Sequence, residues 1–563
     1  MPQRPASTRV DLNATLRDAA EAHRRGELIA ARAGYEAVLK VSPDQFDALH
    51  LIGDVMRRQG DPASAVTPIR RAIELRPDAP AAHNHLGLAL RDLARLDDAI
   101  DAFRASVHAD PMHAASWNNL GMSLRERGDP ESALDCFDRA LGAGGEQAGV
   151  RLNRANALRD LGRSESALAD CERAIAQAPG WPDAWRTRGI VLRTLGLAEA
   201  AVACHDAALA LRPADPDSLI ARGLALADLH SAGAATASIE QAIALAPESA
   251  DAHWALSRVR LTVGDYGRGL EEFEWRWRTS QGRPYTRGFD SPQWDGSASV
   301  EGRTVLLHAE QGLGDTLQFV RYAPLVRARG ARLVLEVQPA LAALLSRQDL
   351  ADTVLARGAP LPAFDFHSPL MSLPRAFGTR LDSIPAPRRY LEARPELVEG
   401  WRVRLGQPKR PRVGLIWSGA PSRLGGAERS VPLDTLVAVL DEEFEWIALQ
   451  HEVRHTDRAA LESRPQIRWF GEELRDFEAA AAAMEAVDAV VGVDTGPVHL
   501  AMALGRPTVL LLPDRADWRW LEERDNSPWY PTAVLVRQHY PDRWDDALRR
   551  ARRILHERLL QPG

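Results

Sequence analysis

Small and apolar positions recur along residues 12–280 with a period of 34, the pattern of stacked helix pairs. Pro43, Pro77, Pro111, Pro179, Pro213 and Pro247 close successive pairs, with Gly145 in the fourth place. Twelve residues before each closing position stands Ala31, Ala65, Ala99, Ala133, Ala167, Ala201 or Ala235. A small residue is needed there because two helices cross closely, and a larger substituent would push them apart. Gly53, Gly87, Gly121, Gly189 and Gly223 mark the partner crossing point, and Ala155 fills the gap in that series. Units are predicted to begin near Leu12, Phe46, Pro80, Ala114, Ala148, Pro182 and Pro216. A degenerate eighth runs from about Ser249 to Arg278, with Gly269 and Arg276 where small packing residues are expected.

The period stops within Trp275-Arg276-Trp277, and Thr279 to Val300 reads as a linker rich in Gly, Ser and Pro. Beyond it, β-rich runs alternate with helix-like segments. The runs are Thr304–His308, Leu333–Val337, Arg412–Trp417, Trp446–Gln450, Ala489–Val493, Thr508–Leu512 and Ala533–Val536. That order predicts parallel α/β layers. The Pro- and Arg-rich stretch Ile384 to Pro411 divides them into two Rossmann-like halves of about 100 and about 150 residues, with a cleft between. The last helix, from about Asp545 to Leu559, is long enough to cross back onto the first half.

The period and its Gly–Ala–Pro order are the tetratricopeptide signature. The expected fold is therefore α plus α/β, a right-handed tetratricopeptide solenoid followed by a pair of Rossmann-type lobes. The expected divisions are a tail at 1–11, repeats at 12–280, a linker at 281–300, an acceptor-side lobe at 301–395 and a donor-side lobe at 400–563. At the fourth junction, Gly142-Ala143-Gly144-Gly145 replaces the usual helix end and predicts the softest point of the solenoid. Asn119 and Asn153 fall at the groove-facing sixth position of successive units. Their amides can grip a peptide backbone or serve as plain polar surface.

Net charge −7 and a pI near 6.2 give no case for nucleic acid or an anionic membrane as partner. Cys136, Cys171 and Cys204 all fall in the repeats and read as buried reduced thiols. The amino terminus lacks a secretory apolar stretch, and no apolar run approaches the ~20 residues of a membrane span. A cytoplasmic protein is expected.

Two constellations carry candidate chemistry. His308-Ala309-Glu310-Gln311-Gly312-Leu313-Gly314-Asp315 is a glycine-rich turn that leaves a strand and opens a helix, where α/β folds place ligands. It is neither a dinucleotide fingerprint nor a Walker loop. Asp315 suits either the cap of its helix or a general base taking a proton from an acceptor hydroxyl. In the second, the strand Val490–Val493 runs into Asp494-Thr495-Gly496-Pro497 and a helix start, an anion site suited to phosphate. Arg429, after the strand ending Trp417-Ser418-Gly419, is the candidate cation. The α/β half holds no Asp-x-Asp pair, which argues against a metal-bridged nucleotide sugar. Trp518, Trp520, Trp529 and Tyr530 suit packing better than sugar stacking.

Gly312–Asp315 together with Val493–Ala501 resembles the heptosyltransferase-like glycosyltransferases of family 9, of the GT-B fold, over about Glu301 to Gln538. Joined to tetratricopeptide repeats, the chain looks like bacterial repeat-plus-transferase proteins, some of which glycosylate flagellin in the cytoplasm. The resemblance implies that Asp315 is the base. It implies that Asp494, Thr495 and Gly496, with Arg429, Ser418 and Gly419, hold donor phosphates, with no cofactor beyond the nucleotide sugar and no metal. Arg429 stands where Lys is usual, and the Ser422–Glu428 loop diverges from the family. The implied function is transfer of sugar to Ser or Thr of a protein held by the repeats. A glycan acceptor and a non-catalytic adaptor are the alternatives.

Overall fold

The computed structural model describes residues 11–144, 148–419, 429–437, 440–539 and 543–560. They form a tetratricopeptide solenoid followed by parallel α/β sheets, in two compact units, Met1–Ala225 and Leu226–Gly563. The first unit holds six full helix pairs among the described residues, and their first helices begin at Leu12, Phe46, Pro80, Ala114, Ala148 and Pro182, as the period predicts.

Each pair closes on one crossing. All seven periodic alanines are fully buried. A Cβ built on Gly53 would lie 2.3 Å from Ile69, on Gly87 2.5 Å from Phe103, and on Gly121 2.7 Å from Phe137. The glycine thus makes room for a large side chain sixteen residues on. Where Ala155 replaces the glycine, Cys171 replaces the large partner, and both are fully buried in one cluster. The volumes trade against each other. Burial pushes the Cys171 thiol up to about 12, so it packs as an inert apolar group. At the fourth junction, Gly142, Ala143 and Gly144 continue the helix Pro130–Gly144 instead of breaking it. Gly145 lies outside the described residues.

The second unit begins with the rest of the repeats and continues into both lobes. Its compactness divides the chain at 225/226, whereas the helical pattern runs on to the turn Glu274–Arg278. The physical reason is burial: Tyr266, Leu270 and Phe273 share a core with the first α/β lobe. The stretch expected as a linker is packed as well. Trp294 is buried, its backbone N–H donates to His367 O at 2.7 Å and its indole donates to Ala298 O at 3.0 Å.

The strands are β1 Thr304–His308, β2 Arg332–Val337, β3 Thr353–Ala356, β4 Phe366–Pro369, β5 Arg412–Ile416, β6 Glu445–Ala448, β7 Ile467–Trp469, β8 Ala489–Val493, β9 Thr508–Leu512 and β10 Ala533–Arg537. These strands pair with one another in parallel, in the orders β3-β2-β1-β4 and β10-β9-β8-β5-β6-β7. The central strands are buried on both faces, which explains their near-continuous apolar sequences. The last helix, Asp545–Leu559, does not cross to the first lobe. Ala547, Leu548, Ala551 and Leu555 cover Val413, Leu415, Val509 and Leu511 of its own sheet.

His205 takes the large-residue place opposite Gly189, where a Cβ would lie 2.5 Å from its ring. The ring is fully buried, neither nitrogen has a hydrogen-bond partner among the described residues, and burial pushes its pKa down from 6.5 to about 4. The unfolded chain therefore binds a proton near pH 6.5 that the folded chain refuses until about pH 4, so stability falls as pH drops through that window. His205→Phe, which copies Phe103 and Phe137, is expected to raise the denaturation midpoint at pH 7. It should also widen the gap over wild type by about 2 kcal/mol at pH 5. Urea titrations at the two pH values measure both, and an equal gap at each pH contradicts the assignment.

Candidate active site

Parallel sheets place ligands at the carboxyl ends of strands where the strand order reverses. In the first sheet β1 has β2 on one side and β4 on the other, and in the second β5 and β8 are neighbours from which the order runs outward both ways. The turn after β1, the turn after β5 and the turn after β8 meet at these points. They enclose a cleft of about 450 Å³ whose lining includes Gly312, Gly314, Asp315, Ser418, Gly419, Arg429, Asp494, Thr495 and Gly496. The nine α/β residues proposed from sequence for the site all line this one cleft.

Asp315 is the third residue of the helix Leu313–Phe319, and Gly312 occupies the cap. Asp315 Oδ2 accepts the Gly312 N–H at 2.8 Å, so it closes the helix start from inside the first turn and is not itself the cap. Its Oδ1 accepts from Arg519 Nη2 at 2.8 Å. The carboxylate is fixed in orientation and lines the cleft. Gly314 is required because a Cβ would lie 2.8 Å from His499 Cδ2.

Thr495 caps the helix Gly496–Ala503, its hydroxyl donating to Val493 O at 3.1 Å. A Cβ on Gly496 would lie 3.4 Å from Leu313 Cβ and 3.6 Å from Gly314 N, so the two helix starts face each other at close range. Their amino-terminal N–H groups favour an anion. Asp494 plays a different part from its neighbours. Its Oδ2 accepts from Trp520 Nε1 at 3.0 Å and its Oδ1 lies 3.1 Å from His499 Nε2, whose Nδ1 is 2.7 Å from the Tyr530 hydroxyl. Burial alone would raise its pKa, but His499, Arg519 and Trp520 hold it well below the usual carboxylate range. Asp494 anchors the turn from beneath.

After β5, the Ser418 carbonyl accepts from Gln450 Nε2 at 3.0 Å, and the Gly419 N–H donates to Ser430 Oγ at 3.4 Å. A Cβ on Gly419 would lie 3.5 Å from Thr495 Cγ2. Arg429 borders the cleft beside Ser430. The Ser422–Glu428 stretch lies outside the described residues.

Sequence reading missed Arg519. It is buried in the turn Trp518–Trp520 after β9, and its Nε lies 3.1 Å from Asp517 Oδ1. Burial works against its charge, but Asp517, Asp315 and Asp494 more than offset that and raise its pKa above the ordinary value. The signal was an Arg between two tryptophans, Trp518-Arg519-Trp520, which periodicity alone does not mark. The four aromatics pack, as expected, and Trp520 and Tyr530 also hydrogen-bond the site.

In the first unit, Asn119 Nδ2 donates to Asn84 Oδ1 and Asn153 Nδ2 to Asn118 Oδ1, both at 2.9 Å. One donor of each amide is thus spent between repeats. Asn153 borders a groove of about 500 Å³ with Arg91, Met122 and Arg125. Among the described residues, one trio with metal-ligating atoms together, Asp441, Glu443 and His556, lies beside the last helix, where Arg552 also donates to Asp441 at 2.8 Å. No helix among the described residues is long and apolar enough to cross a membrane.

A tetratricopeptide repeat family model matches residues 19–80, 50–114, 84–149 and 152–218, and a glycosyltransferase family 9 (heptosyltransferase) model matches residues 475–543. The latter match contains Asp494–Gly496 and Arg519 and excludes the Asp315 turn and Arg429. Protein FlbA of Caulobacter vibrioides is 25% identical over 312 residues, covering 51% of this chain and 52% of FlbA. The chain spans about half the length of the curated relative it matches. Solved structures with partial likeness include a tetratricopeptide repeat protein from Parabacteroides merdae, 15% identical, with a TM-score of 0.37 over 44% of this chain and 97% of that one. Another is the APC/C hetero-tetramer Cut9–Hcn1, 17% identical, with a TM-score of 0.39 over 48% and 54%. The chain is thus similar to tetratricopeptide repeat proteins within residues 19–218 and to the family 9 glycosyltransferases over residues 475–543.

Asp494→Asn leaves Arg519 short of a counter-charge and turns an amide N–H toward donors. It is expected to cost about 3–5 kcal/mol of stability, measured by denaturant titration. An unchanged midpoint would show that Asp494 is not the anchor described.

Proposed function

We propose that the chain is a metal-independent, GT-B-type glycosyltransferase that moves a sugar from a nucleotide-sugar donor to a Ser or Thr hydroxyl of a protein held by the repeats. The observation that carries this reading is the single cleft in which the Asp315 turn of one lobe faces the Asp494–Gly496 helix start of the other. A nucleotide fits the donor side because phosphate oxygens meet the N–H groups of that helix start, with Arg429 and Arg519 as cations at the cleft. A GT-B arrangement is supported by two parallel sheets with the cleft at their carboxyl ends.

The acceptor hydroxyl oxygen attacks the anomeric carbon, and the bond from that carbon to the donor phosphate breaks. The proton passes to Asp315, and the phosphate leaves with the electron pair toward the helix start. Asp315 retains acceptor capacity, since each oxygen has two lone pairs and each accepts one hydrogen bond here. Flagellin is the first protein to test, and the cytoplasm is where such a substrate is met before export.

Mass spectrometry of cellular proteins with and without the chain tests the reading. A sugar mass lost from one protein is the expected result. Loss from a glycan alone would redirect the acceptor assignment, and no change would overturn the enzyme. Asp315→Asn leaves the buried Arg519 short of a counter-charge, so it is expected to lower stability and, per folded molecule, to lose about 10²–10⁴-fold in turnover. Near-wild-type glycosylation by that variant would remove Asp315 as the base.

A further inference from the structure

The degenerate final repeat departs from the pattern most sharply at Arg276, whose partner Glu310 lies at the root of a turn that lines the cleft. Arg276 stands where the repeat needs a small residue, yet it is fully buried. Its Nε and Nη2 lie 2.9 and 3.1 Å from the two oxygens of Glu310. Nη1 donates to Phe273 O at 3.1 Å and to Glu274 Oε1 at 2.8 Å, and Nη2 donates to Ser372 Oγ at 2.8 Å. The guanidinium lies over the rings of Phe273 at 4.4 Å and Trp277 at 4.2 Å. Glu310 also accepts the Met371 N–H at 3.1 Å. Glu310 is the second residue before Gly312, so this ion pair fixes the root of the turn that carries Asp315.

The same repeat holds the other wall. Trp529 Nε1 donates to the Tyr266 hydroxyl at 3.1 Å. Trp518, the neighbour of Arg519, meets Tyr266 and Phe273 edge-on at 5.9 and 6.0 Å. An ion pair, Arg515 to Asp228 at 2.9 Å, and a contact of His230 Nδ1 with Glu522 Oε1 at 3.2 Å flank that contact. Together they clamp the segment in which Arg519 sits.

A fully buried ion pair is weak evidence for stability, because well-packed apolar residues of similar size serve as well or better. It does fix direction: a bidentate pair has one geometry, whereas an apolar contact tolerates several. We propose that the final repeat is a positioning element of the transferase site, with Arg276 setting the Asp315 turn through Glu310 and Tyr266 setting the Arg519 turn through Trp529 and Trp518. Its consequence for turnover rests on the glycosyltransferase reading; its consequence for the turns does not.

The test uses the full chain. Arg276→Met combined with Glu310→Met leaves Glu274 without its cation, so it is expected to lower the denaturation midpoint while keeping the fold. Amide hydrogen exchange across residues 311–317 should quicken roughly tenfold while β1 and β8 stay protected. Glycosylation should fall about 10²-fold with nucleotide affinity unchanged, as expected when reacting groups are misplaced. If the double variant fails to fold, Arg276→Lys, which keeps the charge and loses the fork, should show the same local quickening. Tyr266→Phe, which removes one hydroxyl, should quicken exchange across 518–523 and leave 311–317 unchanged. Unaltered exchange in both turns, or an even rise across the whole unit, would overturn the proposal. Local quickening with no glycosylation by wild type would uphold the positioning role and defeat the transferase reading.

Discussion

One guanidinium holds the cleft together. Arg519 is buried with Asp315 from the first lobe and Asp517 and Asp494 from the second, so its charge is paid for by carboxylates that no single lobe supplies. Asp315 cannot turn away without leaving a buried cation short of its partner. Asp494 cannot turn outward without breaking with Trp520 and His499. The turn that delivers Arg519 is strained: Leu521 and Glu523 take φ values of 56° and 52°, a region few residues other than glycine prefer. Arg537 holds it by donating to the Trp520 and Leu521 carbonyls at 2.7 Å each. Strain held in place by a second arginine beside a cleft is the arrangement expected where geometry matters more than stability.

The repeats obey a different rule, complementarity of volume across sixteen residues. Glycine faces Ile69, Phe103 or Phe137, and alanine faces Cys171. A buried histidine at the same place, His205, satisfies the volume and violates the polarity. The last repeat breaks the rule altogether, with a shortened second helix that ends in a 3₁₀ turn and an arginine in the core. Its departures are explained by what it touches in the α/β lobes and not by anything within the solenoid.

Periodicity made the start of the first helix legible in each of the seven regular units, because each unit repeats the same small–large crossing and errors of register would show at once. The central strands β1, β8 and β9 were legible at their exposed-residue-free runs, and their bounds match the expectation. The strands left unseen, β3, β4 and β7, are three or four residues long and lie at sheet edges, where one side lacks the burial that produces an apolar run. The cleft's glycines and Asp315 were legible because a Gly-rich turn after a buried strand has few other uses. Arg519 and the Arg276–Glu310 pair were not, since their partners lie far off in sequence and only folding brings them within reach. The same limit explains why the Thr279–Val300 stretch looked like a linker: its composition is that of a loop, and only Trp294 betrays the packing.

The central claim is that this cleft takes the phosphates of an activated sugar. Titration calorimetry of the full chain with a panel of nucleoside mono- and diphosphates, in a chelator that removes divalent cations, tests it directly. The account predicts saturable, 1:1 binding of one nucleotide class, weakened when Arg429 or Thr495 is replaced by alanine. No binding across the panel, or binding that those replacements leave untouched, would contradict it.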